Sequence, residues 1–345
     1  MRAHAWVVGL AMAAGCASTL PEREWVTERP RGECVVTLER SDATGSWTLD
    51  HQYDAEGRVL SGSARLRYDG RAWERFGYDA AGRLSEIASY EEIDAESFPC
   101  AAEGGCDTPQ RRWVARARVE HDEAGRLRRF RSEERTYELR PDGVYESRTS
   151  ESRDLSYHYD GAGRLIAIGT GNGTTRFTYE GERLVRVERD ADYPWLDVVE
   201  HDAEGRIVAV HHSNCTPQRE CHVTVETRYA YDDQGRLVRE ERTNVDSSPP
   251  RTETRFEYEG DRVVRRTYVE HQPAGERTRV REHAYDERGR LVATIEDGLP
   301  RERRSYEGAC DAVVTGPRSP SPLVDLGAQP CLRSPAYVLD ACSGP

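Results

Sequence analysis

The stretch Tyr229-Ala230-Tyr231-Asp232-Asp233-Gln234-Gly235-Arg236-Leu237-Val238 has the pattern of a β-hairpin, and the rest of the chain follows from it. Asp232 suits the first corner of a type I turn, where its carboxylate accepts a hydrogen bond from the backbone two residues on. Gly235 then takes a position of positive φ without a Cβ clash, closing the three-residue loop Asp233-Gln234-Gly235 with a glycine bulge. In this register Asp232 faces Arg236 across the two strands, and Tyr231 faces Leu237 on the opposite face of the sheet.

Working outward, the unit recurs. Asp54 and Gly57, Asp79 and Gly82, Asp122 and Gly125, Asp160 and Gly163, Asp202 and Gly205, and Asp286 and Gly289 keep the same spacing, each glycine followed by arginine and an aliphatic residue. Tyrosine precedes the aspartate except at His121 and His201, where aromatic packing is the natural role of the imidazole. Two copies are one residue shorter, Tyr179-Glu180-Gly181-Glu182-Arg183-Leu184 and Tyr258-Glu259-Gly260-Asp261-Arg262-Val263, and put glycine first in a two-residue loop, as a type II′ turn demands. Tyr68-Asp69-Gly70-Arg71 and Arg140-Pro141-Asp142-Gly143-Val144 are weaker relatives, and Tyr306-Glu307-Gly308 is a truncated last copy. Loop length and glycine position change together so that both cross-strand pairings survive, which secures the register.

These turns resemble YD repeats of the RHS type, found in bacterial contact-dependent toxins, insecticidal toxin complexes and animal teneurins, over roughly residues 45 to 308. The resemblance implies an all-β chain, a long antiparallel meander of YD-repeat hairpins. With about a dozen hairpins, the expectation is a curved open sheet, a small closed barrel or a partial shell, with stability summed over neighbouring units. Turns of fixed chemistry fall along one edge. Longer connections (85–115, 188–198, 243–252) fall along the other, where recognition is expected because loops vary without disturbing the sheet. Leu165-Ile166-Ala167-Ile168 and Ile207-Val208-Ala209-Val210 are apolar on both parities, which predicts that part of the outer face is covered.

Composition limits the function classes. Hydrophobic residues at 37% and charged residues at 32% are lean for a compact globule, yet 17 tyrosines are too many for a disordered chain. A net charge of −13, with Arg and Glu interleaved, argues against nucleic acid as a partner.

The chain opens with Met1-Arg2, an apolar run from Ala5 to Met12, and Ala13-Ala14-Gly15-Cys16, which resembles a bacterial lipoprotein signal peptide. The lipobox resemblance makes Cys16 the lipidated N-terminus, and Ala17 beside it, rather than aspartate, points to the outer membrane. The expected organisation is a signal peptide at 1–15, a lipidated tether at 16–33, the repeat domain at 34–308 and a Cys- and Pro-rich cap over the last strand edge at 309–345. Eight cysteines remain, an even number in an oxidising compartment. Cys100 with Cys106 and Cys215 with Cys221 share C-x5-C spacing and read as loop staples. Cys34, Cys310, Cys331 and Cys342 leave three possible pairings.

No catalytic motif stands out. Zinc at Cys215, Cys221, His211, His212 and His222, and calcium at Asp190, Asp192, Asp197 and Glu200, are weaker readings than a staple and a solvated acidic loop, so neither metal nor cofactor is expected. Gly169 to Thr174 reads as a flexible turn rather than a phosphate loop. The function expected is a noncatalytic, lipid-anchored envelope protein that displays its sheet to a protein or glycan. An accessory or remnant of an RHS-type toxin system and a loop-based hydrolase are the alternatives.

Overall fold

In the computed structural model of the chain, residues 32–42, 45–65, 71–93, 111–139, 145–218, 220–245 and 251–310 are described. They form twenty strands. The first ten are β1 (Cys34–Asp42), β2 (Gly45–Tyr53), β3 (Val59–Arg65), β4 (Arg71–Tyr78), β5 (Leu84–Ile93), β6 (Arg111–His121), β7 (Leu127–Leu139), β8 (Tyr145–Tyr159), β9 (Leu165–Thr170) and β10 (Gly173–Glu180). The rest are β11 (Arg183–Ala191), β12 (Trp195–His201), β13 (Ile207–Cys215), β14 (Cys221–Tyr231), β15 (Leu237–Asn244), β16 (Arg251–Glu259), β17 (Arg262–Gln272), β18 (Gly275–Tyr285), β19 (Leu291–Glu296) and β20 (Leu299–Gly308).

Each strand pairs antiparallel with its neighbours in the chain, and β1 also pairs with β20, from Cys34 opposite Gly308 to Arg40 opposite Glu302. The sheet is therefore a closed all-β barrel. Of the open sheet and the closed barrel, the chain forms the barrel, and twenty strands make it larger than the small one expected. Closure leaves β20 paired on both sides, with no free edge of the kind the expected cap was to cover. Residues beyond 310 lie outside the described part, as do Cys16, Cys100, Cys106, Cys331 and Cys342. A disulfide joins Cys34 to Cys310 beside the seam, selecting one of the three open pairings.

One end of the barrel carries the regular turns. In all seven long copies glycine sits at φ between 76° and 86° and its N–H donates to the aspartate carbonyl. At the next residue the arginine Nε donates to aspartate Oδ2, at 2.6 to 2.8 Å across the copies. The Arg83 N–H, with its guanidinium and the Ala81 N–H, holds the Asp79 carboxyl below the usual carboxylate range. In the two short copies Gly181 and Gly260 lie at φ of 60° and 58°, and Glu182 and Asp261 are not among the positive-φ residues, as a type II′ turn requires. The opposite end also has tight turns that the repeat pattern did not mark, including Asp297-Gly298 at φ of 51° and 77° between β19 and β20. The glycine-rich run at 169–174 is one of them, a two-residue turn of Gly171-Asn172 between β9 and β10.

The charged and aromatic pairs do not act separately, as the hairpin pattern implied. Where the next turn carries a tyrosine, the arginine also lies over its ring, at 4.4 to 5.7 Å, as Arg236 does over Tyr258. That tyrosine in turn donates its hydroxyl to the preceding aliphatic residue's carbonyl, Tyr258 to Leu237 at 2.7 Å and Tyr285 to Val263 at 2.8 Å. These rungs tie one hairpin to the next around the rim. Where histidine replaces tyrosine, burial first and then Arg83 or Arg183 lower the pKa of His121 and His201, so a neutral imidazole occupies the place of the phenol.

The rim makes a graded prediction. Gly235→Ala is expected to cost about 1 to 2 kcal/mol through backbone strain alone, because its Cβ would meet open space. A Cβ at Gly289 would fall on the Arg262 guanidinium that stacks over Tyr285. Gly289→Ala should therefore cost roughly 0.5 to 1 kcal/mol more. Urea denaturation of both variants checks this; equal costs would contradict the stacked rung.

Directly paired residues share a face, so the register carries one face around the barrel. A continuous apolar cluster follows it from Phe76 and Ile87 through Phe130, Tyr157 and Phe177 to Val187 and Val210. Burial on both faces occurs at β5, where Ile87, Ala88, Ser89 and Tyr90 are all buried in succession. The segment predicted to be covered at 165–168 behaves differently: Leu165 is buried but Ile166 is 37% exposed.

Candidate functional site

At the end of the barrel opposite the regular turns, β12 lies between β11 and β13, which brings two irregular connections side by side. Trp195 begins β12 and pairs with Arg189 on one side and Asn214 on the other. Cys215 and Cys221 face each other at the ends of β13 and β14 and form the predicted staple. The Cys215 N–H donates to the Pro194 carbonyl at 3.0 Å, so the stapled loop holds the 192–194 turn in place. Between them opens a cleft of about 250 Å³ lined by Arg176, Arg186, Arg189, Asp190, Trp195 and the Cys215–Cys221 loop. Tyr193, next in the chain to the lining residue Pro194, is 88% exposed.

Beside Trp195, on its own face of the sheet, stands a charged pair. His212 Nδ1 lies 2.6 Å from Asp197 Oδ1, and the imidazole packs 5.8 Å from the indole, tilted by 42°. The hydrogen bond to Asp197 raises the His212 pKa, opposed by burial. A histidine whose folded pKa is raised contributes stability that is present below its unfolded value and lost as pH rises through the folded one. His212 is thus expected to keep its proton above 6.5, the ordinary histidine value. In an NMR titration Asp197→Asn should bring its midpoint back toward that value; an unmoved midpoint would rule out the pairing as the cause.

The cleft's carboxylates are already engaged. Glu188 pairs with Arg186 at 2.8 Å and Asp190 with Arg176 at 3.6 Å. What remains for a ligand is an indole edge, a phenol and guanidinium groups, a set suited to stacking and hydrogen bonding. The four acids considered for calcium do not converge: Asp197 holds His212, while Glu200, on the other face, lies 3.1 Å from His211. Among the described residues no three His, Cys, Asp or Glu side chains come together as a metal group, and Cys215 and Cys221 are bonded to each other.

The sequence marked the 188–198 connection and the staple but missed the union of Trp195, His212 and Asp197. Register arithmetic could have found it, because Asp197 lies four residues before His201 and His212 five after its partner Ile207, the extra residue being the bulge beside the turn.

Comparison with protein-family models and with curated proteins finds no match. Among solved structures, the chain is similar to a porin-like protein from Bacteroides uniformis, with 8% identity and a TM-score of 0.36 over 65% of this chain and 96% of that one. A likeness at that level says nothing about what the chain does.

Proposed function

We propose that the chain is a noncatalytic, lipid-anchored protein of the bacterial cell envelope, built of YD-type repeat hairpins, which presents the Trp195 cleft to a glycan or protein ligand. The observation that carries this is the cleft itself, a fixed aromatic and guanidinium surface whose acids are all ion-paired. A hydrolase of the carboxylate type would need its acids free there, and Glu188 and Asp190 are both ion-paired.

Two further observations support the reading. Along β18, Glu276, Arg277, Arg279, Arg281 and Glu282 are all exposed. Alternate residues point to opposite faces, so both faces are charged, whereas a membrane-spanning barrel needs an outward apolar band about 25 Å tall. The barrel then sits beside the bilayer, held by lipid on Cys16. The chain enters at the regular rim, where Glu33 donates to the Tyr53 carbonyl, so the cleft lies up to about 30 Å from the tether, at roughly 3.3 Å per residue along the strands. An outer-membrane anchor with the variable rim turned away from the bilayer accounts for both.

Mass spectrometry of the mature N-terminus tests the anchor, with an unmodified terminus as the contrary result. Glycan-array and pull-down binding by the mature chain test the cleft. Trp195→Ala with Tyr193→Ala is expected to weaken binding at least about tenfold; binding that ignored both substitutions would overturn the display reading.

A further inference from the structure

The wall made by β17 and β18 holds an arrangement that the rim cleft does not use. Arg266 lies directly opposite Arg281, and Tyr268 directly opposite Arg279. Positions 266 and 268, like 279 and 281, share one face. Three guanidinium groups and a phenol thus line a cleft of about 180 Å³ whose one remaining lining residue is Glu296. Glu296 is already engaged: Arg281 donates to it through Nε at 3.2 Å and Nη2 at 2.5 Å, and Arg301 lies 4.0 Å away. The Arg266 guanidinium lies over the Phe256 ring at 5.7 Å. Among the described residues neither Arg266 nor Arg279 has a carboxylate partner.

Like charges directly opposite each other weaken a sheet, so this pairing does not serve the fold. It is also a local reversal of sign in a chain of net charge −13. The field of these arginines reaches a neighbour on the same face. The His283 pKa is pushed down to about 4 by burial first and then by Arg281, with Arg304 and Arg266 adding to the effect and Glu302 opposing it.

We propose that this cleft binds a tetrahedral oxyanion, a phosphate or sulfate group, through Arg266 and Arg279, with Tyr268 as a hydroxyl donor between them. The planar guanidinium fork matches two oxygens of such a group at once, and the two arginines unpaired with acid are the ones free to turn to it. The same group can arrive as the free ion or as an ester on an anionic polysaccharide.

The mature chain is titrated by calorimetry and thermal shift with sodium phosphate and sodium sulfate against sodium chloride at equal ionic strength, and separately with dextran sulfate. Saturable binding of phosphate or sulfate that raises the melting temperature, where chloride does not, is the expected result. Arg266→Gln and Arg279→Gln should each weaken that binding at least about tenfold, without lowering the melting temperature in chloride. Arg228→Gln, on the opposite face of the sheet by the register through Glu241, Glu253 and Val269, should leave it intact. Tighter binding of dextran sulfate than of the free ions, lost in the same variants, assigns an ester on a polymer; equal binding assigns the free ion. Phosphate and sulfate behaving like chloride, or binding that survives both substitutions, would overturn the proposal. This outcome is independent of the rim cleft, whose test uses different residues and ligands.

Discussion

Replacing Cys34 and Cys310 with serine is expected to lower the melting temperature by roughly 5 to 7 °C and to open the barrel first between β1 and β20. The disulfide joins residues separated by 276 positions. In the chain-entropy account, a loop of that length restricts the unfolded state by about 5 kcal/mol at most, near the upper end for any disulfide. The bond also sits where a ring of twenty strands has its one junction between the first strand and the last. Both half-cystines are buried, with Cys34 fully so, in a small cluster with Val36 and Tyr53. Thermal melting with hydrogen exchange checks this: amides of β1 and β20 should exchange before those of β10 to β13. A melting point within about 2 °C of the parent would mean that the strand pairing alone secures the seam.

The second large effect is expected at Phe177→Ala, a loss of about 3 to 5 kcal/mol. Phe177 is buried and lies directly opposite Val187, which is fully buried, near the middle of the longest apolar cluster. The same row continues through Asp197 to His212, so the apolar wall and the pair packed beside Trp195 are one line of side chains. The substitution should therefore loosen the Trp195 cleft as well as the barrel, and its ligand binding should fall with its stability. Chemical denaturation measures the first, and the Trp195 fluorescence environment the second. A cost below about 1 kcal/mol would show that the wall repacks around the void.

The two effects differ in kind from a change at a single turn. Tyr258 loses one hydroxyl bond to Leu237 when replaced by phenylalanine, a contribution of about 1 kcal/mol, and its neighbours on the rim keep theirs. A linear array would distribute all its stability in such increments. In the closed ring the turns still add, but the seam and the continuous apolar wall hold larger shares.

The legible part of this chain was its turns. From Tyr231, Asp232, Gly235, Arg236 and Leu237 alone came the type I loop, the glycine bulge and both pairings, because every interaction involved lies within about six residues. The same local chemistry placed the short loops at Gly181 and Gly260 and the Cys215–Cys221 staple. The candidate cleft was legible only as a location, the edge of irregular connections. Its content was not, since Trp195 meets His212 across two strands and their packing depends on which face each occupies after a bulge.

Sequence by itself thus determined the hairpins, their register and which end of each strand would be regular, all set by backbone geometry over a few residues. Tertiary structure decided that β1 finds β20, that Cys34 is bonded to Cys310, and that the arginine of one turn stacks on the tyrosine of the next. It also decided that Arg266 stands against Arg281 on one wall. Closure depends on twist and stagger accumulated over twenty strands, each contributing a small rotation, and no window of sequence contains that sum.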